Sequence, residues 1–207
     1  MAIAAILFSI VTHAQISKGA HMVGGSLGFG TQKLTNWQGT ESHTEKATSF
    51  TVFPAWGYAV SDNFVLGADL TFTQFSASPG SGNKSYAKGG GLFVRQYWEV
   101  LPKFYVFGQA RAGVNFAEYN YGANTSMIYK EKTSQVLLYV TPGISYAVSK
   151  KLQLEALFIP LFNFQYFKSD QFYRNDVKTS SKYYSVNTSL NNTSNLALGV
   201  RFLLGNK

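Results

Sequence analysis

The sequence predicts an all-β fold, an eight-stranded antiparallel up-and-down transmembrane β-barrel. Two observations lead to this prediction: long runs alternate between apolar and polar residues, and the polar face of those runs holds isolated ions among small and amide side chains. In the run 152–165, Leu154 and Phe158 lie on one face, whereas Gln153 and Glu155 lie on the other. Alternation with period two indicates β-strands. An apolar outer face around a polar interior is typical of a barrel in lipid.

Composition favours a single membrane-embedded domain. The chain has 207 residues, and no charge run or proline-rich linker divides it. Charged residues make up 14% of the chain and aromatic residues 16%, whereas a soluble globular domain has roughly 25% charged residues. The sequence contains no cysteine, which excludes disulfides, thiolate nucleophiles and cysteine-ligated metals.

The charge balance indicates an anionic partner. The chain has 18 basic and 10 acidic residues, a formal net charge of +8. The lysines are spread over predicted loops and turns and form no basic stripe with stacking aromatics, so nucleic acid is not an expected partner. We expect attraction to outer-membrane lipid headgroups and lipopolysaccharide phosphates instead.

Residues 1–14 are predicted to be a signal peptide, which leaves 15–207 as the barrel domain. Residues 2–11 form an apolar core, and Thr12-His13-Ala14 places small residues where a signal peptidase cuts, so cleavage is expected after Ala14. No basic segment precedes the apolar core, which suggests that the start of the signal is truncated. The competing interpretation is an N-terminal strand or helix of the fold. The run is much shorter than the ~20 residues of a helical membrane span.

Eight alternating runs define the predicted strands. Several of these runs reach the ~10 residues that a tilted transmembrane strand uses. They span residues 21–32, 48–60, 64–75, 90–99, 104–116, 133–148, 152–165 and 195–204. Short turns are expected at 61–63, 100–103 and 149–151, and long loops at 33–47, 76–89, 117–132 and 166–194. Short turns at one end and long loops at the other match outer-membrane barrels, so the turns are expected in the periplasm. Pro54, Pro142 and Pro160 fall inside these strands, and we expect bulges or lipid-facing positions there.

Alternation alone leaves open which face is inside, and a secreted lipocalin-like barrel is the competing fold. The polar face holds too few charges for a solvated surface. Aromatic residues on the apolar face also cluster beside the short turns, as an interfacial girdle would. These are Tyr58, Phe64, Trp98, Phe104, Tyr146 and Phe202, with Phe29, Phe116 and Phe164 toward the other end.

Three segments resemble small outer-membrane β-barrel proteins of the OmpA/OmpX type. The segments are GYAVSDNFVLGADLTF (57–72), FVRQYWEVLPKFYVFGQARAGVNF (93–116) and LALGVRF (196–202). They are similar in particular to the porin-family outer membrane protein β-barrel domain. The resemblance implies a cell outer membrane location in a Gram-negative envelope and insertion by the barrel-assembly machinery. That machinery commonly reads a terminal aromatic residue, whereas here five residues follow Phe202.

Five ions are expected to form a polar network inside the barrel. Arg95, Arg111 and Arg201 lie on the predicted inner face, with Asp69 and Glu155 as partners. An unpaired guanidinium in a narrow interior is costly, so we expect charge-assisted hydrogen bonds that close the lumen. The alternative is that these ions line or gate a small pore.

The sequence predicts a structural or surface-interacting role, with a small passive pore as the alternative. A lipid-modifying enzyme needs a nucleophile with a histidine base. After signal removal only His21 and His43 remain, and neither has a serine and an acid at a convincing spacing. No catalytic residue, cofactor or metal site is therefore predicted. The long loop 166–194, rich in Lys, Tyr, Asn and Ser, is a candidate surface for an unknown extracellular ligand or an extension of the strands.

Overall fold

A computed structural model describes residues 16–38, 41–77, 84–120, 128–173, 177–188 and 196–205. The predicted signal peptide lies outside these residues. The described chain consists of ten β-strands joined by turns. They are β1 (His21–Gln38), β2 (Glu41–Ser61), β3 (Phe64–Ala77), β4 (Lys84–Leu101), β5 (Phe104–Asn120), β6 (Ile128–Ser149), β7 (Leu152–Leu157), β8 (Phe162–Tyr173), β9 (Lys178–Asn187) and β10 (Leu196–Leu204). No helix in the described residues is long and apolar enough to cross a membrane.

The ten segments form a closed eight-stranded antiparallel barrel, which confirms the predicted fold class. Each strand from β1 to β6 pairs with its neighbour in sequence. β7 and β8 both pair with β6, so together they form the seventh barrel strand. β9 pairs with β8 and β10 pairs with β7, so these two occupy the eighth position. The pairing of β10 with β1 closes the wall.

The seventh strand is interrupted by a bulge at Pro160, one of the two outcomes expected for prolines inside strands, so the run predicted over 152–165 consists of two segments. β7 ends at Leu157 and β8 begins at Phe162. Their partners on β6 are Gly143 and Val140, so five steps along one strand face three steps along the other, a bulge of two residues. Pro160 lies within the bulge, because proline has no N–H to donate to the ladder. Two extra residues preserve the alternation, so inward positions remain inward on both sides of the bulge.

The three short turns form as predicted. Asn63 and Lys103 adopt positive φ angles of 58° and 70°, and asparagine tolerates this region better than most residues. Each hairpin also shifts register by one residue just before its turn, between 59 and 61, 99 and 101, and 147 and 149. Such bulges are common where a barrel wall ends at its rim. We call this end of the barrel the turn end and the opposite end the loop end.

The long connections are mainly strand, which corrects their prediction as loops. β1 and β2 pair as far as Gln38 and Glu41, within the predicted loop 33–47. The predicted loop 166–194 contains most of β8 and all of β9, paired from Asn163↔Asn187 to Phe172↔Lys178. In these segments the strands continue beyond the apolar part of the wall with mainly polar side chains. We call this extension at the loop end the raised sheet.

The barrel has an apolar outer surface and a buried interior. Outward residues remain exposed along every barrel strand, including Leu92 at 70% and Leu198 at 57% of their full accessible area. The predicted aromatic residues beside the turns, among them Trp98, Phe104 and Phe202, are exposed on this face. A contiguous apolar surface of this extent requires lipid or a partner to cover it. Pro54 is exposed on the same face, as expected.

The eighth position of the wall is described in two parts, β9 and β10. Among the described residues, β1 pairs with β10 from His21 to Phe29, where the described part of β10 begins at Leu196, and further residues of β1 pair with β2. In the described part of the chain, β9 pairs with β8 on one side and with no strand on the other. β9 is therefore an edge strand of the raised sheet.

Candidate functional site in the barrel lumen

The lumen near the turn end is filled mainly by apolar side chains, which we call the lower tier; the polar residues Gln153 and Ser145 are also buried at this end. Ile16, Val65 and Leu203 are fully buried there. The remaining members of the same buried cluster at this end are Ala20, Met22, Ala59, Tyr97, Tyr105, Phe107 and Ala147. The lower tier packs like a protein core, so side chains occupy the space that a channel would need.

The segment 16–20 is part of this closure. The backbone N–H of Ile16 donates to Asn63 Oδ1 at 3.2 Å, and the N–H of Asn63 donates to the Ile16 carbonyl at 2.9 Å. Gly19 N–H donates to the carbonyl of Ala59 at 2.8 Å, and Lys18 N–H to Asp62 Oδ1 at 2.8 Å. These four bonds tie the segment to the first turn and place the Ile16 side chain inside the lumen.

Three ions lie directly above the lower tier, and we call Arg95, Glu155 and Arg201 the ion cluster. Arg95 Nη1 donates to both carboxylate oxygens of Glu155, at 2.8 and 2.7 Å. The Tyr97 hydroxyl donates to Glu155 Oε1 at 2.6 Å, and Arg95 Nε donates to Gln109 Oε1 at 3.0 Å. The Arg95 guanidinium also lies 4.4 Å from the centre of the Phe107 ring. Arg95 thus has a partner on each side.

Arg201 makes fewer hydrogen bonds than Arg95. Its Nε lies 3.2 Å from Glu155 Oε2 in an ion pair, but without hydrogen-bond geometry. Its two terminal nitrogens donate to Ser26 Oγ at 3.0 Å and to the Val200 carbonyl at 3.4 Å. A guanidinium has five N–H donors, and Arg201 is 2% exposed. It is therefore a buried cation with donors left over.

Arg111 and Asp69 form a pair of their own beside the ion cluster. Arg111 Nε donates to Asp69 Oδ2 at 2.7 Å, and Arg111 Nη2 donates to Thr71 Oγ1 at 3.2 Å. The Arg111 guanidinium lies 5.4 Å from the centre of the Tyr139 ring. The register explains the separation, because Arg111 lies opposite Phe93 on β4, one inward position nearer the loop end than Arg95.

All five predicted interior residues point into the barrel, but several of their partners were missed. Tyr97 and Gln109 contact Arg95 directly, and Ser26 contacts Arg201. All three occupy inward positions of their strands, which the same alternation would have identified. His21 lies at the start of β1 and stacks between Trp56 and Tyr58 on the outer face, and the His43 side chain lies outside the described residues.

An open cavity lies above the ion cluster, on the side of the loop end. Its volume is about 250 Å³. Arg95, Arg201, Asp69 and Thr141 are among the polar residues that line it. The apolar lining comprises Phe53, Phe93, Leu157, Phe158 and Pro160, among others. The structure thus shows a cup with an ionic floor and apolar walls rather than a lumen filled throughout. Within the described residues, no group of three or more His, Cys, Asp or Glu side chains is arranged to hold a metal ion.

Solved structures with a similar fold include small outer-membrane β-barrels. OprG from Pseudomonas aeruginosa has a TM-score of 0.59 with this structure at 11% identity, over 92% of this chain and 98% of OprG. Neisserial surface protein A has a TM-score of 0.41 at 18% identity, over 89% of this chain and 97% of that protein. Ail, the attachment invasion locus protein of Yersinia pestis, has a TM-score of 0.44 at 12% identity, over 90% and 99% of the two chains. The match to OprG shows a shared fold.

No protein-family model matches the sequence, and no curated protein matches it significantly. The function must therefore be argued from the lumen and the surface of this chain.

Proposed function

We propose that this protein is an integral barrel of the Gram-negative outer membrane that does not conduct and acts at the cell surface. The observation that supports this proposal is the closed turn end. The lower tier occupies the lumen around Ile16, and Glu155 bridges opposite walls above it through Arg95 and Arg201. A solute entering from the loop end meets the ion cluster and then a packed apolar core. We expect no catalysis and no cofactor.

The outer surface supports a fixed orientation in the membrane. On adjacent strands, Val136, Tyr166 and Tyr184 lie in one row of outward residues. The next row toward the loop end contains Lys168 and Lys182, directly opposite each other. Aromatic residues followed by cations are typical of the level where hydrocarbon gives way to headgroups. Like charges on paired strands destabilise each other, so anions such as lipopolysaccharide phosphates suit this position. We therefore place the loop end outside the cell.

The raised sheet is the part of the molecule available for contact. β9 is exposed on both faces except at Ser185, and its outer edge is unpaired within the described residues. An unpaired strand edge offers a row of N–H and C=O groups to an extended peptide. This geometry favours a surface-interaction role over a purely structural one.

Single-channel recording tests the closed lumen. The purified protein, beginning at Gln15, is incorporated into a planar bilayer. A barrel protein of the size of OmpX is recorded separately as a control. We expect no stable conductance steps. The variant Ile16→Gly combined with Glu155→Ala removes side chains from both obstructions and should raise the leak, whereas Leu198→Ala on the outer face should not. Stable steps from the unaltered protein would contradict the proposal and establish the alternative, a small passive pore, which the open cavity above the ion cluster favours.

Fractionation tests the location. We expect the mature chain to begin at Gln15, to sediment with the outer membrane and to migrate differently on gels before and after boiling. Depletion of the barrel-assembly machinery should leave the protein in the periplasm. Recovery of a soluble, folded periplasmic protein from unperturbed cells would refute the membrane assignment and favour the lipocalin-like alternative.

A further inference from the structure

The cup above the ion cluster combines two features that a merely structural lumen does not need. Its walls include the apolar side chains of Phe53, Phe93 and Phe158, with polar residues such as Thr51 and Tyr139 between them. Its floor is ionic and includes Arg201. A space-filling role would be met by side chains alone, as in the lower tier. A small concave site with apolar walls and a few convergent polar groups is the usual form of a ligand pocket.

The charges around the floor do not balance. Among the described side chains, the ion cluster and the neighbouring pair contain three guanidiniums, Arg95, Arg111 and Arg201. They contain two carboxylates, Asp69 and Glu155, which leaves an excess of one positive charge. A buried charge without a counter-charge is costly, so an anion at this position is favoured.

Arg201 carries the excess. Glu155 binds Arg95 through both carboxylate oxygens, and Asp69 binds Arg111 at 2.7 Å. Arg201 shares Glu155 only at 3.2 Å, and its Nε has no hydrogen-bond acceptor. It is therefore the guanidinium with the greatest capacity for an additional acceptor.

A second polar group at the floor also lacks a partner. Thr141 Oγ1 is buried and has no hydrogen-bond partner in the described structure, although it lines the cup. Buried polar groups are nearly always paired. Arg201 thus offers the cup a charge, and Thr141 offers it an unpaired hydroxyl.

From these observations we propose that the cup binds a small organic anion, a monocarboxylate with an apolar body. The carboxylate accepts hydrogen bonds from the Arg201 guanidinium, and the apolar body packs against Phe53 and Phe158. The Thr141 hydroxyl is a further donor in the same cup. A carboxylate suits a guanidinium because both are planar and can pair through two bonds. The cavity of about 250 Å³ is slightly smaller than sites for drug-sized ligands, roughly 300 Å³ and above, so the body is the size of a phenyl ring or a short alkyl chain.

The test is calorimetric titration of the full mature protein in nanodiscs of zwitterionic lipid, with empty nanodiscs as the blank. The probe is 3-phenylpropionate at pH 7, where a carboxyl group is ionised. We expect saturable binding of this probe, at least about tenfold weaker binding of the neutral 3-phenylpropionamide, and no measurable binding of acetate. Equal affinity for acid and amide would overturn the role of the charge. Equal affinity for acetate would overturn the role of the apolar walls.

Two variants locate the head group. Arg201→Gln balances the remaining charges and should weaken binding of 3-phenylpropionate at least about tenfold. Thr141→Val, which retains the shape of the side chain, should weaken it severalfold. The matched control Lys151→Gln removes an exposed cation at the turn end and should leave affinity unchanged. Each variant is first checked for the gel shift of a folded barrel, and Thr141→Val decides the question if Arg201→Gln does not fold.

Unchanged affinity in the folded Arg201→Gln and Thr141→Val variants would refute the proposed site. Absence of saturable binding to the unaltered protein would refute it as well. This inference rests on the proposed function only in that the ligand stops at the ion cluster. Conductance recording tests that closure, and calorimetry tests binding, so either can fail while the other holds.

Discussion

Replacing Glu155 by glutamine should be the most damaging conservative change in the lumen. The side chain keeps its size, but the only carboxylate of the ion cluster loses its charge. In the unaltered protein this carboxylate lies 2.7 Å from Arg95 Nη1 and 3.2 Å from Arg201 Nε. It also accepts a hydrogen bond from the Tyr97 hydroxyl at 2.6 Å. Its removal leaves two buried guanidiniums facing each other without a counter-charge. Breaking a buried ion pair in this way costs about 3 kcal/mol or more of unfolding free energy.

Arg201→Gln is the matched comparison, and charge balance predicts a much smaller effect. The remaining ions are then two guanidiniums and two carboxylates, each with a partner. The losses are the hydrogen bond to Ser26, about 1 kcal/mol, and the 3.2 Å ion pair with Glu155, which the relief of repulsion between Arg201 and Arg95 offsets. In the double variant, with Glu155→Gln added to Arg201→Gln, the loss of unfolding free energy should be smaller than the sum of the two single losses by about 1 kcal/mol or more. The reason is that removing Arg201 relieves the repulsion.

Urea unfolding in zwitterionic lipid vesicles measures these differences. Tryptophan fluorescence reports the transition, since the chain contains three tryptophans, and linear extrapolation yields the unfolding free energy. The reasoning predicts a large loss for Glu155→Gln and a small one for Arg201→Gln. An unchanged midpoint for Glu155→Gln together with a large loss for Arg201→Gln would show that the charge balance of the cluster does not determine stability.

Three further predictions concern the outer face, the orientation and pH. Leu198→Lys should lower the unfolding free energy by roughly 2 to 4 kcal/mol if the position is near the bilayer midplane; a harmless lysine would mean that this face does not meet lipid. A cysteine at Lys182 should react with an impermeant maleimide in intact cells while one at Lys150 is protected, and the reverse pattern would invert the topology. Hydrogen bonding to the Ser180 hydroxyl, with help from nearby lysines, lowers the pKa of Asp170. Because the folded-state pKa is lower, the contribution of this carboxylate to hairpin stability should be complete above about pH 4 and lost as the pH falls through the lowered value. Ser180→Ala should raise the pKa measured by NMR, and an unchanged pKa would contradict this cause.

The sequence predicted the inward orientation of the interior ions but not their pairing. Arg95 and Glu155 are 60 residues apart, and both face inward in their own strands. Whether they meet depends on the stagger of strands around the barrel, which no local pattern contains. The same limit applies to Arg111, which its register places with Asp69.

The strand ends were also only partly predictable. Apolar alternation marks the part of each strand whose outer face is apolar, so the predicted strands stop where the outer face becomes polar. Backbone pairing continues beyond that level, because a hairpin gains hydrogen bonds whether or not its side chains are apolar. The bulge at Pro160 depends on β6 as a template for both β7 and β8.

By itself, the sequence determined the number of barrel strands, their turns and which side chains face outward. These properties follow from period-two alternation and from residues such as Asn63 that suit tight turns, and both are local. Only the tertiary structure decided that Ile16 closes the turn end, that Glu155 bridges two arginines and that a cup remains above them. Such features depend on which inward residues reach the same level of the lumen, and barrel closure sets that level by fixing the register of strands distant in the chain.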